Sequence, residues 1–133
     1  MDARAAAIAT HEAAHAVAAT LLGRQVMYVS RTGNLCGETF SKQQGSDLLS
    51  GLVTLIVPVY VSPIELPQHD LLVAENLHSI GADVTEAHRQ ARALVEEPRF
   101  RNGHRAVEWA LWSRPFLTGM EVELILALDK ENV

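Results

Sequence analysis

The segment Ala3–Leu22 constrains the fold more than any other part of this 133-residue chain. It consists mostly of Ala, Val, Leu and Ile, and it contains neither Pro nor Gly. Because Ala has the highest intrinsic helix propensity, this composition predicts a long helix. Gly23 follows directly and is a suitable residue to end that helix.

A His-Glu-x-x-His motif lies in the middle of the predicted helix. His11 and His15 lie about 40° apart around such a helix and roughly one turn apart along it. Their imidazoles can therefore converge on one zinc ion, while Glu12 can reach a water on that ion. The motif predicts a zinc site with His11 and His15 as ligands and Glu12 as the catalytic base.

The motif also has a chance interpretation, because the chain holds 6 histidines. Its surroundings favour a metal site over accidental surface residues. A polar side chain on so apolar a helix is costly to bury unless it finds a partner. One ion would supply a partner for both histidines, and its water would supply one for Glu12.

Size and composition predict a single domain over residues 1–133. Hydrophobic residues make up 48% of the chain, which excludes a disordered polypeptide, and the net charge of −5 argues against nucleic-acid binding. Cys36 is the only cysteine, so we expect neither an intrachain disulfide nor a cysteine zinc site. A reducing, cytoplasmic location fits this cysteine content.

Two further features bear on location. Met1–Arg4 does not begin a signal peptide, because no basic run followed by a leucine-rich stretch is present. The most apolar segment, Leu48–Val61, contains Pro58 and is shorter than the about 20 residues that a membrane span needs. We therefore expect a buried helix there and no membrane span.

The remaining pattern predicts a mainly α domain with one small β-hairpin. Strands are expected over Val26–Ser30 and Cys36–Phe40, with turn residues over Arg31–Asn34 between them. Further helices are predicted over residues 44–57, 69–80, 83–96, 102–112 and 119–130.

A catalytic zinc usually has three protein ligands and one open position, so one ligand remains to be found after the motif. Spacing alone does not choose among the downstream candidates. They are His69, Asp70, Glu75, His78, Asp83, Glu86 and His88.

Four segments in order resemble the peptidase domain of FtsH-type zinc metalloproteases. The segment Thr10–Ala16 is similar to that family's His-Glu-Ala-Gly-His-Ala core, and residues 26–31 followed by 37–39 are similar to the strand pair after it. Residues 81–92 resemble the family segment Gly-Ala-x-x-Asp-Leu-x-x-Ala-Thr-x-x-Ala-Arg. Residues 114–122 resemble the closing Leu-x-Gly-x-Glu-Leu turn into the last helix.

The resemblance implies that Asp83 is the third zinc ligand, since it matches the Asp of the family's third segment. The chain departs from the family in having Ala14 in place of Gly and two fewer residues before Asp83. It also has no Gly-x-x-x-x-Gly-Lys-Ser/Thr motif of an ATPase. The resemblance therefore implies an ATP-independent peptidase for short or unfolded polypeptides, or one that works with a separate ATPase or regulatory partner.

Alternatives stay open for the third ligand. Asp83 and Glu86 also fit an N-capping box, in which the aspartate accepts from the helix backbone and the glutamate reaches back. His69 is the other candidate ligand, because Asp70 beside it can orient its ring, although an exposed helix start is the plainer interpretation.

The function predicted from these residues is zinc-dependent hydrolysis of peptide bonds. Glu12 would take a proton from the water and deliver it to the leaving amine. Tyr28 and Tyr60 are candidates to stabilise the oxyanion, and an exposed edge over Gly37–Phe40 would bind an extended peptide by strand addition. A catalytically inactive binding or regulatory module is the alternative, and a hydrolase of some other bond is a third.

Three features outside the motif have plainer interpretations. Trp109 and Trp112, three apart on a predicted helix, form a core or partner-facing stripe. His104 lies in a polar stretch and is interpreted as an ordinary surface residue. The arginines between residues 89 and 105 are interpreted as a solvated basic face.

Overall fold

The computed structural model describes residues 3–32, 38–42, 48–61, 75 and 83–131. Its described elements are α1 (Ala3–Leu21), β1 (Gln25–Ser30), β2 (Glu38–Lys42), α2 (Leu48–Ile56), a 3₁₀ turn (Val57–Tyr60), α3 (Val84–Glu96), α4 (Pro98–Ser113), β3 (Phe116–Thr118) and α5 (Gly119–Glu131). The fold is mainly α with one small sheet, as the sequence predicted.

The helix α1 is the central element of the fold. Residue 9 and residues 11–19 are all buried, so protein surrounds this part of the helix on every side. The elements α2, α4 and β1 all pack against it. Most of these buried residues are Ala, whose small side chain lets neighbouring elements approach the helix axis closely. The polar residues of the motif therefore lie inside the core.

A Schellman motif at Gly23 ends α1, in agreement with the sequence prediction. Gly23 adopts a φ of 78°, a conformation that glycine accepts without strain. The amide of Arg24 donates to the carbonyl of Ala19 at 2.8 Å, and the amide of Gly23 donates to that of Thr20 at 3.1 Å. The chain thereby reverses direction and enters β1 directly.

The described sheet has the strand order β2-β1-β3, and both pairings are antiparallel. The predicted hairpin is confirmed, with Val29 opposite Thr39. The described strand β2 begins and ends two residues later in the sequence than the predicted strand. Cys36 lies outside the described residues. The strand β3 was not predicted, because three residues are too few to show an alternating pattern, and it places Leu117 opposite Val29.

The helix boundaries depart from prediction where proline is involved. The helix α4 begins at Pro98, four residues earlier than expected, because the first helical position tolerates a residue without N–H. The described part of α2 runs over Leu48–Ile56 and ends two residues before Pro58, while positions 44–47 of the predicted helix lie outside the described residues. Apart from Glu75, which is helical, the helix predicted over residues 69–80 lies outside the described residues.

One face of α4 is buried in the core and another is exposed to solvent. Leu111 is fully buried, whereas Trp109 and Trp112 are 67% and 42% exposed, with their ring centroids 5.7 Å apart. The tryptophan pair thus faces outward. Among the described residues, no helix has both the length and the apolar character that crossing a membrane requires.

A close approach of backbones fixes the junction between β3 and α5. A Cβ atom on Gly119 would lie 1.7 Å from the carbonyl oxygen of Val26 in β1. No two non-bonded heavy atoms can lie that close together, so the packing of α5 against the sheet requires glycine at this position.

Replacing Gly119 with Ala is expected to lower the free energy of unfolding by about 3 kcal/mol, because backbone must move to admit the methyl group. Gly23→Ala is the matched control: its Cβ would meet nothing within 4 Å, so only the positive φ is unfavourable, by about 1 kcal/mol. Chemical denaturation measures both values. Equal losses in the two variants would contradict the close approach at Gly119.

Candidate metal centre

The structure brings His11, Glu12 and His15 together inside the core. Their exposed fractions are 2%, 3% and 4%. One ligand atom from each residue lies within 4.8 Å of the other two, and among the described residues this is the only such group of His, Cys, Asp or Glu. The three residues can hold a metal ion, as the helical spacing of the motif predicted.

A backbone carbonyl determines how the His15 ring is oriented. The Nδ1 atom of His15 lies 2.9 Å from the carbonyl oxygen of Thr54 in α2. A carbonyl oxygen only accepts hydrogen bonds, so Nδ1 must carry the proton and donate it. The neutral His15 ring therefore carries its lone pair on Nε2, which is a form in which histidine can bind a metal ion.

The lone pair of His15 points at the neighbouring histidine. The two Nε2 atoms are 3.1 Å apart, and the rings meet edge to face with centroids 4.7 Å apart. Two nitrogens on one tetrahedral zinc ion would lie about 3.3 Å apart. Without an ion, His11 Nε2–H donates to His15 Nε2. To share an ion, His11 would carry its proton on Nδ1 instead, so that both Nε2 lone pairs face the ion.

Glu12 lies beside the histidine pair in the same buried space. Its Oε1 atom is 3.8 Å from Nε2 of His11. A carboxylate at this distance is close enough to share a bound ion or to accept a proton from a water between them. The geometry alone permits both roles.

His104 fixes the chain immediately before His11. Its Nε2 atom donates to the carbonyl of Thr10 at 2.9 Å, and its ring stacks on Phe100 with centroids 5.7 Å apart. The hydroxyl of Thr10 also contacts Glu108 of α4. His104 is half-buried and ties α4 to the motif helix, so it does more than an ordinary surface histidine.

The structure does not bring Asp83 into the group with the histidines. Asp83 is exposed and forms the N-cap of α3, where its Oδ1 accepts from the amide of Glu86 at 3.0 Å. This contact is one half of the capping box that the sequence offered as the alternative. As the third ligand, Asp83 stays a prediction.

Glu86 does not form the other half of that box. Its carboxylate binds the guanidinium of Arg89, with Arg89 Nε donating at 2.8 Å, and it accepts from Gln90 at 3.1 Å. The hydrogen bond from Arg89 is the main cause that lowers the pKa of Glu86 to about 2, and the one from Gln90 adds to it.

The other candidates for a third ligand lie elsewhere or are not described. Among those in the described part of the chain, Glu75, Glu86 and His88 do not join the group. The Nδ1 atom of His88 instead pairs with the hydroxyl of Tyr60 at 2.6 Å. His69, Asp70 and His78 lie outside the described residues.

The two tyrosines considered for an oxyanion role lie in separate surroundings. Tyr60 is exposed and pairs with His88, while Tyr28 stacks on Phe116 with centroids 5.4 Å apart. An oxyanion role for either stays a prediction.

Sequence reasoning missed the contribution of Thr54 to the site. The contact to His15 comes from its main chain, and the Thr54 hydroxyl donates back along α2 to the carbonyl of Ser50 at 2.8 Å. No side-chain motif identifies a main-chain carbonyl as a hydrogen-bond acceptor, so only the packing of α2 against α1 reveals this contact.

No protein-family model matches this chain, and no curated protein matches its sequence. The resemblance to FtsH-type peptidase domains therefore stays an expectation that depends on the four sequence segments quoted above.

Substitution of Arg89 by Ala is expected to raise the pKa of Glu86 from about 2 towards its ordinary value of 4.5. Since this pKa is lower in the folded chain, the ion pair favours folding above about pH 4.5 and stops doing so as the pH falls towards 2. Carboxyl NMR titration measures the shift. Arg92→Ala on the same helix is the control and should leave Glu86 unchanged.

Binding of a divalent transition-metal ion is expected to depend on both histidines of the motif. His11→Ala and His15→Ala should each abolish stoichiometric binding, since either change leaves too few donors. Calorimetric titration with zinc or cobalt after chelator treatment measures this. His88→Ala is the matched control; if it weakens binding as much as the motif variants, the ion binds elsewhere.

Proposed function

We propose that this chain is a zinc-dependent hydrolase of peptide bonds. The observation that carries the proposal is the buried histidine pair, in which the Thr54 carbonyl keeps the Nε2 lone pair of His15 directed at Nε2 of His11. Two convergent imidazoles with a carboxylate beside them form a donor set that suits zinc well. The likeness to FtsH-type peptidase domains supports the same reaction.

The residues of the site divide the work between holding the ion and moving a proton. His11 and His15 hold zinc through neutral rings, and the contact to Thr54 prevents His15 from turning away. When bound, zinc lowers the pKa of a water and polarises the carbonyl to be cleaved. Glu12 accepts the proton of that water and returns it to the leaving amine, in a buried position where charges interact strongly.

The proposal has three candidates for the third zinc ligand. Asp83 and His69 stay the candidates from the sequence, and the carboxylate of Glu12 is itself near the pair. If Glu12 is a ligand, removing its charge should weaken zinc binding. If Glu12 is the base, the same change should leave zinc bound and abolish hydrolysis.

The proposed substrate is an extended polypeptide, short or already unfolded. The strand β2 pairs only with β1 within the described sheet, and it also contacts α1, which carries the histidines. An extended peptide added to that edge would run close to the motif helix. Folded substrates would need a separate ATPase to unfold them, and we place the activity in the cytoplasm.

Glu12→Gln is expected to retain zinc and to lose peptide hydrolysis by about a hundredfold or more, because the amide cannot accept the proton. Cleavage of quenched fluorescent peptides and zinc titration are measured on the same sample. Glu123→Gln, an exposed change on α5, is the control and should behave like the parent. Undiminished cleavage would refute the base role, and loss of zinc would make Glu12 a ligand.

One observation favours the second candidate, a non-catalytic peptide-binding module. Among the described residues, the group of potential metal ligands consists of His11, Glu12 and His15, and Asp83 caps a helix instead. Such a module would bind unfolded peptides without cleaving them, with or without an ion. Peptide binding by the zinc-loaded parent without any turnover would favour this candidate.

A further inference from the structure

The carbonyl that orients His15 lacks its usual hydrogen-bond donor within the helical pattern of α2. In an α-helix each carbonyl accepts from the amide four residues later. The residue four after Thr54 is Pro58, which has no N–H. The usual helical donor to the Thr54 carbonyl is therefore missing, and α2 ends two residues later at Ile56.

The freed carbonyl lies inside the core, where it needs a donor. Thr54 is buried, and so is His15, whose Nδ1 lies 2.9 Å from that oxygen. A buried carbonyl without any donor would be unfavourable, so the missing helical bond and the histidine contact compensate each other. Proline at position 58 thus removes the amide that would otherwise compete with His15 for this carbonyl.

We infer that Pro58 is a positioning residue for the candidate metal centre. By leaving the Thr54 carbonyl to His15, it holds that ring with Nδ1 protonated and with the Nε2 lone pair directed at His11. Pro58 is the second residue of the 3₁₀ turn after α2, and its own carbonyl accepts from the amide of Val61 at 3.1 Å. The consequence for metal affinity rests on the proposed zinc site, whereas the tautomer of His15 does not.

The test measures the tautomer of His15 in the metal-free protein by two-bond ¹H–¹⁵N correlation of the ring nitrogens. The parent should show a protonated Nδ1 and an unprotonated Nε2 at neutral pH. Pro58→Ala introduces an amide that competes for the Thr54 carbonyl, so His15 should become a mixture of tautomers. Zinc affinity in the same variant should fall by about tenfold or more.

Two control variants separate this role from general effects of substitution. Pro98→Ala changes an exposed proline at the start of α4, where a new amide lacks a helical acceptor, so tautomer and affinity should stay as in the parent. Thr54→Val removes the hydroxyl that binds Ser50 but keeps the carbonyl, so the His15 tautomer should also persist.

Each outcome supports or overturns the inference. A parent protein whose His15 carries its proton on Nε2 overturns it directly, with no variant required. If Pro58→Ala keeps the His15 tautomer and the zinc affinity of the parent, the inference is also overturned. If Pro58→Ala does not fold, Pro58→Ser, which introduces the same amide, replaces it. If no variant binds zinc, the proposed function fails while the tautomer still decides the role of Pro58.

Discussion

The hydrogen bond between His15 and the backbone of Thr54 is the interaction on which the candidate site depends. It joins α1 to α2 in the core and fixes which nitrogen of His15 has a lone pair. Without it the ring could rotate or exchange its proton, and the Nε2 atoms of the pair would not stay 3.1 Å apart. Protein contacts alone hold the two rings where they could share a metal ion.

The alanine-rich composition of α1 makes this interaction possible. Small side chains let α2, α4 and β1 close around the helix, so that the few polar groups on it meet partners from neighbouring elements. Thr10 meets His104, and His15 meets Thr54. Burial of polar groups on α1 is thus matched by specific hydrogen bonds, which give this helix one definite position in the core.

Local patterns in the sequence predicted much of this structure, and contacts between distant segments account for the rest. The ends of α1, the β1–β2 hairpin, the start of α5 and the His11–Glu12–His15 group all follow from spacing or from residue type over a few positions. The strand β3 depends on pairing with β1 across the chain, and the Thr54 contact depends on a main-chain atom. Asp83 shows a limit of another kind, since one carboxylate suits both a helix cap and a metal ion.

The tight turn at Gly23 restricts the motion of the motif helix relative to the sheet. Only three residues, 22–24, separate the last residue of α1 from the first of β1, and all three of their amides donate to carbonyls of α1. A displacement of α1 along its axis would therefore carry β1 with it, and β2 and β3 through their ladders. The distance from the sheet edge to the histidines would therefore be preserved during such fluctuations, because the helix and the sheet would move together.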